Sequence, residues 1–189
     1  MINVAINYYI DKEPVRQKEI NECFYKNINN PYINLIIINS QERLKYSYYF
    51  DLLNKISSSN DINVIANGDI YFDETIKLLE NLDSETFFAL SRWEVEHSNK
   101  IKHFNRADSQ DTWAWRGKSK LINNNFNIGV PGCDNRLAYE ANKAGYKVRN
   151  PSLDIKTYHL HISNLRNYDA KHRTDSIPGP YLTVTPEKI

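Results

Sequence analysis

The sequence predicts an α/β fold built on a mainly parallel central sheet. Three observations carry this expectation. Short β-branched runs alternate with longer stretches of helical periodicity through the first half of the chain. One run, INLIII at residues 33–38, is aliphatic without interruption, as in a strand covered on both faces. Another, INVIA, leads into NGD and so delivers an acid to the carboxyl end of a strand, where open α/β sheets bind their ligands.

Residues 2–10 alternate and are rich in β-branched side chains, so they read as the first strand. Pro14 opens a helix expected to run through residue 27, at a position where its missing N–H costs nothing. Residues 33–38 form the second strand. A helix is expected over 42–56, with Leu44, Tyr48, Leu52 and Ile56 at four-residue spacing. A third strand follows at 62–66, a short helix at 74–82 and a fourth strand at 86–90. The second half breaks this alternation. Residues 94–111 are polar, hold His97 and His103, and are expected to form a loop excursion. Residues 110–116 (QDTWAWR) alternate again, which puts Asp111, Trp113 and Trp115 on one face of a strand. A turn cluster, GVPGCD, leads into a helix at 135–144 stopped by Gly145, with extended segments at 146–148 and 155–162. The chain divides into a domain at 1–168 and a polar, Pro-rich tail at 169–189 that either wraps the domain or is loosely ordered.

Composition narrows the function. The 189 residues are 41% hydrophobic and 25% charged, which suits one globular domain with a sizeable core. A net charge of +1 and the lack of a long Lys/Arg block argue against nucleic-acid partners and electrostatic membrane binding. No apolar run approaches the roughly 20 residues that span a bilayer. Two cysteines, Cys23 and Cys133, make no disulfide framework and fit a reducing compartment. The N-terminal stretch MINVAINYYIDKEP lacks the basic segment of a secretory signal, so the expected location is the cytoplasm.

The stretch VIANGDIYFDE (residues 64–74) has two readings. Asn-Gly between apolar runs signals a hairpin turn. In an alternating α/β order, however, the returning strand would be cut short by Asp73 and Glu74, and Asp69 would instead sit at a strand end as a site residue. A strand-end acid suits a divalent cation, which takes oxygen ligands and shares them with phosphate. Asn67, two positions earlier, stands where a second acid would complete an acid-x-acid triplet. Asp134 reads first as the N-cap of the helix at 135–144; a carboxylate fixed there is also placed as a general base must be. Cys133 reads as a small buried apolar neighbour. His159 and His161 in TYHLHIS share one strand face, a pairing that suits a metal. A zinc site from Cys133, His159 and His161 ranks lower, for want of close Cys/His spacing. Arg92 and Trp93, with Asp111 and Trp113, combine aromatic faces and charges that suit sugar rings. The competing reading puts the tryptophans in the core and pairs Arg92 with an acid.

In this order, NGDIYFDETI, ALSRWE, SQDTWAWRG, GVPGCDNRLAYEANKAGYKVRNPS and KTYHLHIS-x-x-R-x-Y resemble small GT-A-type glycosyltransferase domains. Among these is the N-terminal domain of a chlorovirus rhamnosyltransferase and its relatives. The resemblance runs from the first strand to Tyr168. It implies a Rossmann-like nucleotide-sugar-binding fold (GT-A) and a divalent metal, commonly manganese, with magnesium as the alternative. It also implies transfer of a sugar from a nucleoside-diphosphate donor to a glycan or other hydroxyl acceptor, in the host cytoplasm were the chain viral. By position it makes Asp69 the metal-binding acid of a DxD-type motif, with Asn67 as a neutral departure in its first place. Asp134 becomes the catalytic base of an inverting reaction. One of His159 and His161, and not both, completes the metal shell. Asn67, Arg92, Trp93, Asp111 and Trp113 become donor or acceptor contacts.

Two other classes share parts of this pattern. A nucleotidyltransferase acting on a sugar phosphate would also use a metal-bound acid, but MINVAINYYIDKEPVR lacks a Gly/Lys/Arg-rich phosphate loop. A non-catalytic carbohydrate-binding domain would need the aromatic platform without the acids.

Overall fold

A computed structural model describes residues 1–96, 100–121, 123–163, 165 and 176–189. Along the chain its elements are β1 (Ile2–Asn7), α1 (Pro14–Ile28), β2 (Asn34–Ile38), α2 (Tyr46–Ile56), β3 (Ile62–Ala66) and β4 (Ile70–Phe72). A 3-10 helix (Glu74–Asn81) follows, then β5 (Thr86–Leu90), β6 (Trp93–Val95), β7 (Ile101–His103) and β8 (Thr112–Arg116). The last elements are α3 (Cys133–Lys143), β9 (Lys147–Arg149) and β10 (Thr157–His159).

The fold is α/β, with a six-stranded central sheet in the order β2-β1-β3-β8-β5-β9. β1 pairs in parallel with β2 and β3, and β5 with β9, while β8 runs antiparallel between β3 and β5. The sheet is therefore mixed, which corrects the mainly parallel expectation for the half containing β8. Between β5 and β8 the chain makes a strand excursion and no helical crossover, so it re-enters the sheet from the end it left. Residues 94–111 are that excursion. They contain β6 and β7, an antiparallel pair where a loop was expected; His97 lies outside the described residues.

β8 shows how the layers divide. Trp113 and Trp115 point into a core shared with Tyr46, Phe50 and Leu53 of α2 and Leu137 of α3. Ala114 points the other way, toward Val4, Val64, Ile76 and Leu79. The continuous aliphatic run at 34–38 is an edge strand, not one covered on both faces, and Ile37 stays 45% exposed because β2 ends the sheet order. α2 starts at Tyr46, later than its periodicity suggested. The N–H groups of Tyr46 and Ser47 are taken by the carbonyls of Phe126 and Asn124, and Lys45 bridges Asn127. β1 stops at Asn7, whose side chain exchanges two 3.0 Å hydrogen bonds with the Ser40 backbone and so ties the ends of β1 and β2 together.

A second sheet, in the order β4-β10-β6-β7, stands beside the first and positions the site. His159 pairs with Ile70 on one side and Glu94 on the other, so one face of this sheet brings Glu94 and His159 beside the residue preceding Ile70. The opposite face carries Tyr71, Tyr158, Trp93 and His103 in direct cross-strand register. Tyr71 and Tyr158 stack with ring centres 4.9 Å apart, and Trp93 meets His103 at 5.0 Å. Aromatic cross-strand pairs contribute about 0.2–1 kcal/mol each, enough to matter in strands of three residues. Residues 176–189 lie along the domain, with backbone bonds from Ile177 to Pro131, Leu182 to Asn135 and Val184 to Ala107, and Val184 is buried. Among the described residues no helix is long and apolar enough to cross a membrane.

Candidate active site

β3 ends at Ala66, and the Ile70 N–H donates to the Asn67 carbonyl at 3.1 Å, closing a turn over Asn67–Ile70. The stretch at residues 64–74 is thus both a turn and the approach to a cleft. It is not a hairpin, because β4 leaves the central sheet and pairs with β10. Gly68 is required there: a Cβ would sit 2.6 Å from the Asn7 carbonyl oxygen. Beyond the turn lies a cleft of about 810 Å³, lined among others by Asn67, Asp69, Arg92, Asp111, Asp134 and His159.

Asp69 is 9% exposed and held from three directions. Its Oδ2 accepts from the Arg16 guanidinium of α1 and lies 3.1 Å from His159 Nε2, and its backbone carbonyl accepts from the Leu160 N–H at 3.0 Å. Its other oxygen, Oδ1, is buried with no hydrogen-bond partner among the described residues. Burial opposes ionisation of Asp69, but His159 and then Arg16 outweigh it and hold the carboxyl well below the usual range. His159 faces Glu94 as well, its Nδ1 2.8 Å from Oε2. Burial works against a charged ring, yet Asp69 and then Glu94 outweigh it and push His159 up to about 9. His161 lies beside it, with ring centres 5.4 Å apart, and its Nε2 is 2.6 Å from the Leu165 carbonyl. Burial, then Arg16, lowers its pKa and favours the neutral ring.

Asp69, His159 and His161 each offer a ligand atom, and these atoms lie within 4.8 Å of one another. Each histidine has one ring nitrogen anchored, by Glu94 or by the Leu165 carbonyl, as the outer partners of metal-ligating histidines are. With Asp69 Oδ1 unpartnered among the described residues, this donor set fits a divalent cation. The expectation of a single histidine is met by a geometry that gathers both. Cys133 stands apart: its Sγ donates to Asp134 Oδ1 at 2.9 Å, so it does not join the histidines in a zinc site.

On the other wall Arg92 bridges two acids, with Nε 2.6 Å from Glu94 Oε1 and Nη1 2.7 Å from Asp111 Oδ2. It also lies 4.1 Å over the ring of Phe104. Asp111 accepts from Asn67 Nδ2 at 2.8 Å, so Asn67 orients an acid in the place where the triplet would have held one. α3 begins at Cys133, with Gly132 at its N-cap position in the left-handed region (φ 83°). Asp134 therefore lies inside the first turn and is not the N-cap. Its Oδ2 accepts weakly from the Gln110 N–H at 3.4 Å. Burial, then the Asp111 charge, raises Asp134 to about 7.

Two expected contacts are corrected. Trp113 is fully buried in the core against Tyr46, and Trp93 lies on the aromatic face of the second sheet, its Nε1 donating to the Ser152 carbonyl at 2.8 Å. Neither lines the cleft; the aromatic rings that do include Phe104, Tyr9, Tyr49 and Tyr181. The sequence reading missed Phe104, Arg16 and Glu94. Arg16 had left a signal: a cation in the first turn of a helix opposes the helix dipole and needs an acid from elsewhere.

His159→Ala should cost more than His161→Ala. His159 joins Asp69 to Glu94 in buried contact, whereas His161 is half-buried and anchored to a carbonyl. Manganese titrations of both variants with a nucleoside diphosphate present should show weaker uptake in each, with a clear drop in Tm only for His159→Ala. If neither changes manganese uptake, the histidines are not ligands.

In comparisons with known proteins, no family model matches the chain and no curated protein matches it.

Proposed function

We propose that the chain is a metal-dependent, inverting glycosyltransferase that moves a sugar from a nucleoside-diphosphate sugar to an acceptor hydroxyl. One observation carries this reading. A single cleft holds a metal-ready cluster (Asp69, His159, His161) and also a carboxyl, Asp134, poised at about 7. A metal for a diphosphate and a base for a hydroxyl are the two needs of a single displacement at an anomeric carbon. The order of motifs along the chain agrees with the GT-A resemblance.

In this mechanism Arg16, Asp69 and the two histidines form the donor side of the cleft. A divalent cation bound there would offset the charge growing on the departing diphosphate. Asp134, in the same cleft, takes the proton of the acceptor hydroxyl. The acceptor oxygen then bonds to the anomeric carbon as the bond to the diphosphate oxygen breaks, which inverts the centre. Arg92, paired with Glu94 and Asp111, and Phe104 beneath it line the same cleft and would contact the sugar.

Calorimetry with UDP, GDP, ADP and dTDP, with manganese and with EDTA, tests the reading. Binding that needs manganese supports it; equal affinity in EDTA removes the metal from the mechanism. The pH profile is a second check. Because Asp134 must be ionised to act, kcat/KM should rise about tenfold per pH unit below pH 7 and level off above. A flat profile between pH 5 and 8 would remove Asp134 from the role of base.

A further inference from the structure

We propose that Arg16 makes Asp69 a ligand for a metal–diphosphate complex and a poor ligand for the free cation. The inference rests on Asp69, His159 and His161 being the metal position, and adds to it the order in which the partners bind.

Arg16 is 5% exposed and lines the cleft. Its Nη1 donates to Glu19 Oε2 at 2.8 Å and to the Leu160 carbonyl at 3.2 Å, while Nη2 holds Asp69 Oδ2. The charge is permanent, since a guanidinium does not deprotonate in proteins, and these contacts fix its position. It also sits in the first turn of α1, where the positive end of the helix dipole adds to it.

Affinity for a hard divalent cation follows the number of charged oxygens around it. The cluster offers one carboxylate, and that carboxylate is already in contact with a cation. Glu19 and Glu94 stand one contact further out, beyond Arg16 and His159. A free cation therefore gains little here. A diphosphate changes both sides of the balance. It brings the missing charged oxygens to the metal, and it is itself an anion of the kind an arginine fork binds. The same guanidinium opposes one ligand and favours the other.

The opposite signs make the test. Free manganese is followed by its electron paramagnetic resonance signal and nucleotide binding by calorimetry, on the full chain and on Arg16→Met and Arg16→Lys. The wild type should take up manganese readily with UDP, GDP, ADP or dTDP present and at least tenfold more weakly without. Arg16→Met should bind manganese alone at least tenfold more tightly than the wild type, and the manganese–nucleotide complex at least tenfold more weakly. Arg16→Lys, which keeps the charge, should retain the wild-type preference. Two results overturn the proposal while leaving the metal site standing: wild-type protein that binds manganese equally well with and without nucleotide, or Arg16→Met weakening both ligands alike. Binding of neither manganese nor nucleotide would overturn the site reading and this inference together. If Arg16→Met does not fold, equal manganese uptake by the wild type with and without nucleotide still overturns the proposal.

Discussion

Asp69→Asn abolishes manganese-dependent nucleotide binding and lowers the Tm in the same protein. The first effect follows from the donor set: asparagine keeps the shape but removes the only carboxylate among the three candidate ligands. The second follows from burial. Arg16 and His159 both face Asp69 Oδ2, and among the described residues each keeps one acid once it is gone, Glu19 and Glu94 respectively. Removing one partner of a buried ion pair costs about 3–5 kcal/mol, which in a chain of this size lowers Tm on the order of 10 °C. The pH dependence has a definite sign. Asp69 is depressed, so its contribution is present above the ordinary carboxylate range and is lost only in strong acid. His159 is raised, so its contribution is full below 6.5 and is lost as pH rises through about 9. The Tm gap between wild type and variant should therefore be widest between about pH 4 and 6.5 and narrow toward pH 9. Calorimetric titrations at low temperature, where the variant is folded, separate the two effects. Wild-type affinity for nucleotide in the folded variant would remove Asp69 from the site.

The parts of this site that lie at strand ends were legible in the sequence, because period and position suffice to find them. Asp69 follows a buried run and His159 ends β10, as the extended segment suggested; His161 lies two residues past the end of that strand, so its place beside His159 comes from the chain beyond β10 and not from a shared strand face. What could not be read was the pairing of short strands. β4, β6, β7 and β10 have three residues each, too few for a periodic signal, yet they form the sheet that sets Glu94 against His159. Trp93 was misplaced for the same reason. In a loop it would have been free to meet a sugar; in register with Tyr158 and His103 it faces away from the cleft. Trp113 failed differently. Its alternation with Asp111 was read correctly, but alternation cannot say whether a face meets a ligand or a helix, and α2 lies over it. The mixed sheet also needed long-range pairing, since nothing local to TWAWR fixes the direction of its neighbours.

Asp134→Asn should lose transfer by about 10²–10⁴-fold while binding manganese and nucleotide as the wild type does, because a base acts in the transition state and adds little to donor binding. The distinguishing result is thermal. Asp134 is raised to about 7, chiefly by burial and then by the charge of Asp111, so the fold favours its protonated form. That preference is a stabilising contribution present at low pH and lost as pH climbs from the ordinary carboxylate value of 3.8 through about 7. Asparagine stays neutral throughout, and its side-chain oxygen can still accept from Cys133 or from the Gln110 N–H. The variant should then match the wild type near pH 4 and melt higher than it above pH 7. Asp69→Asn and Asp134→Asn thus shift stability in opposite directions, although each removes one carboxylate from the same cleft. The first acid is held ionised by its neighbours and supports the fold; the second is ionised against its neighbours, at a cost the fold bears only at the pH where a base is needed. A lower Tm for Asp134→Asn at every pH, with turnover intact, would make Asp134 a structural residue of the first turn of α3 and leave the cleft without its base.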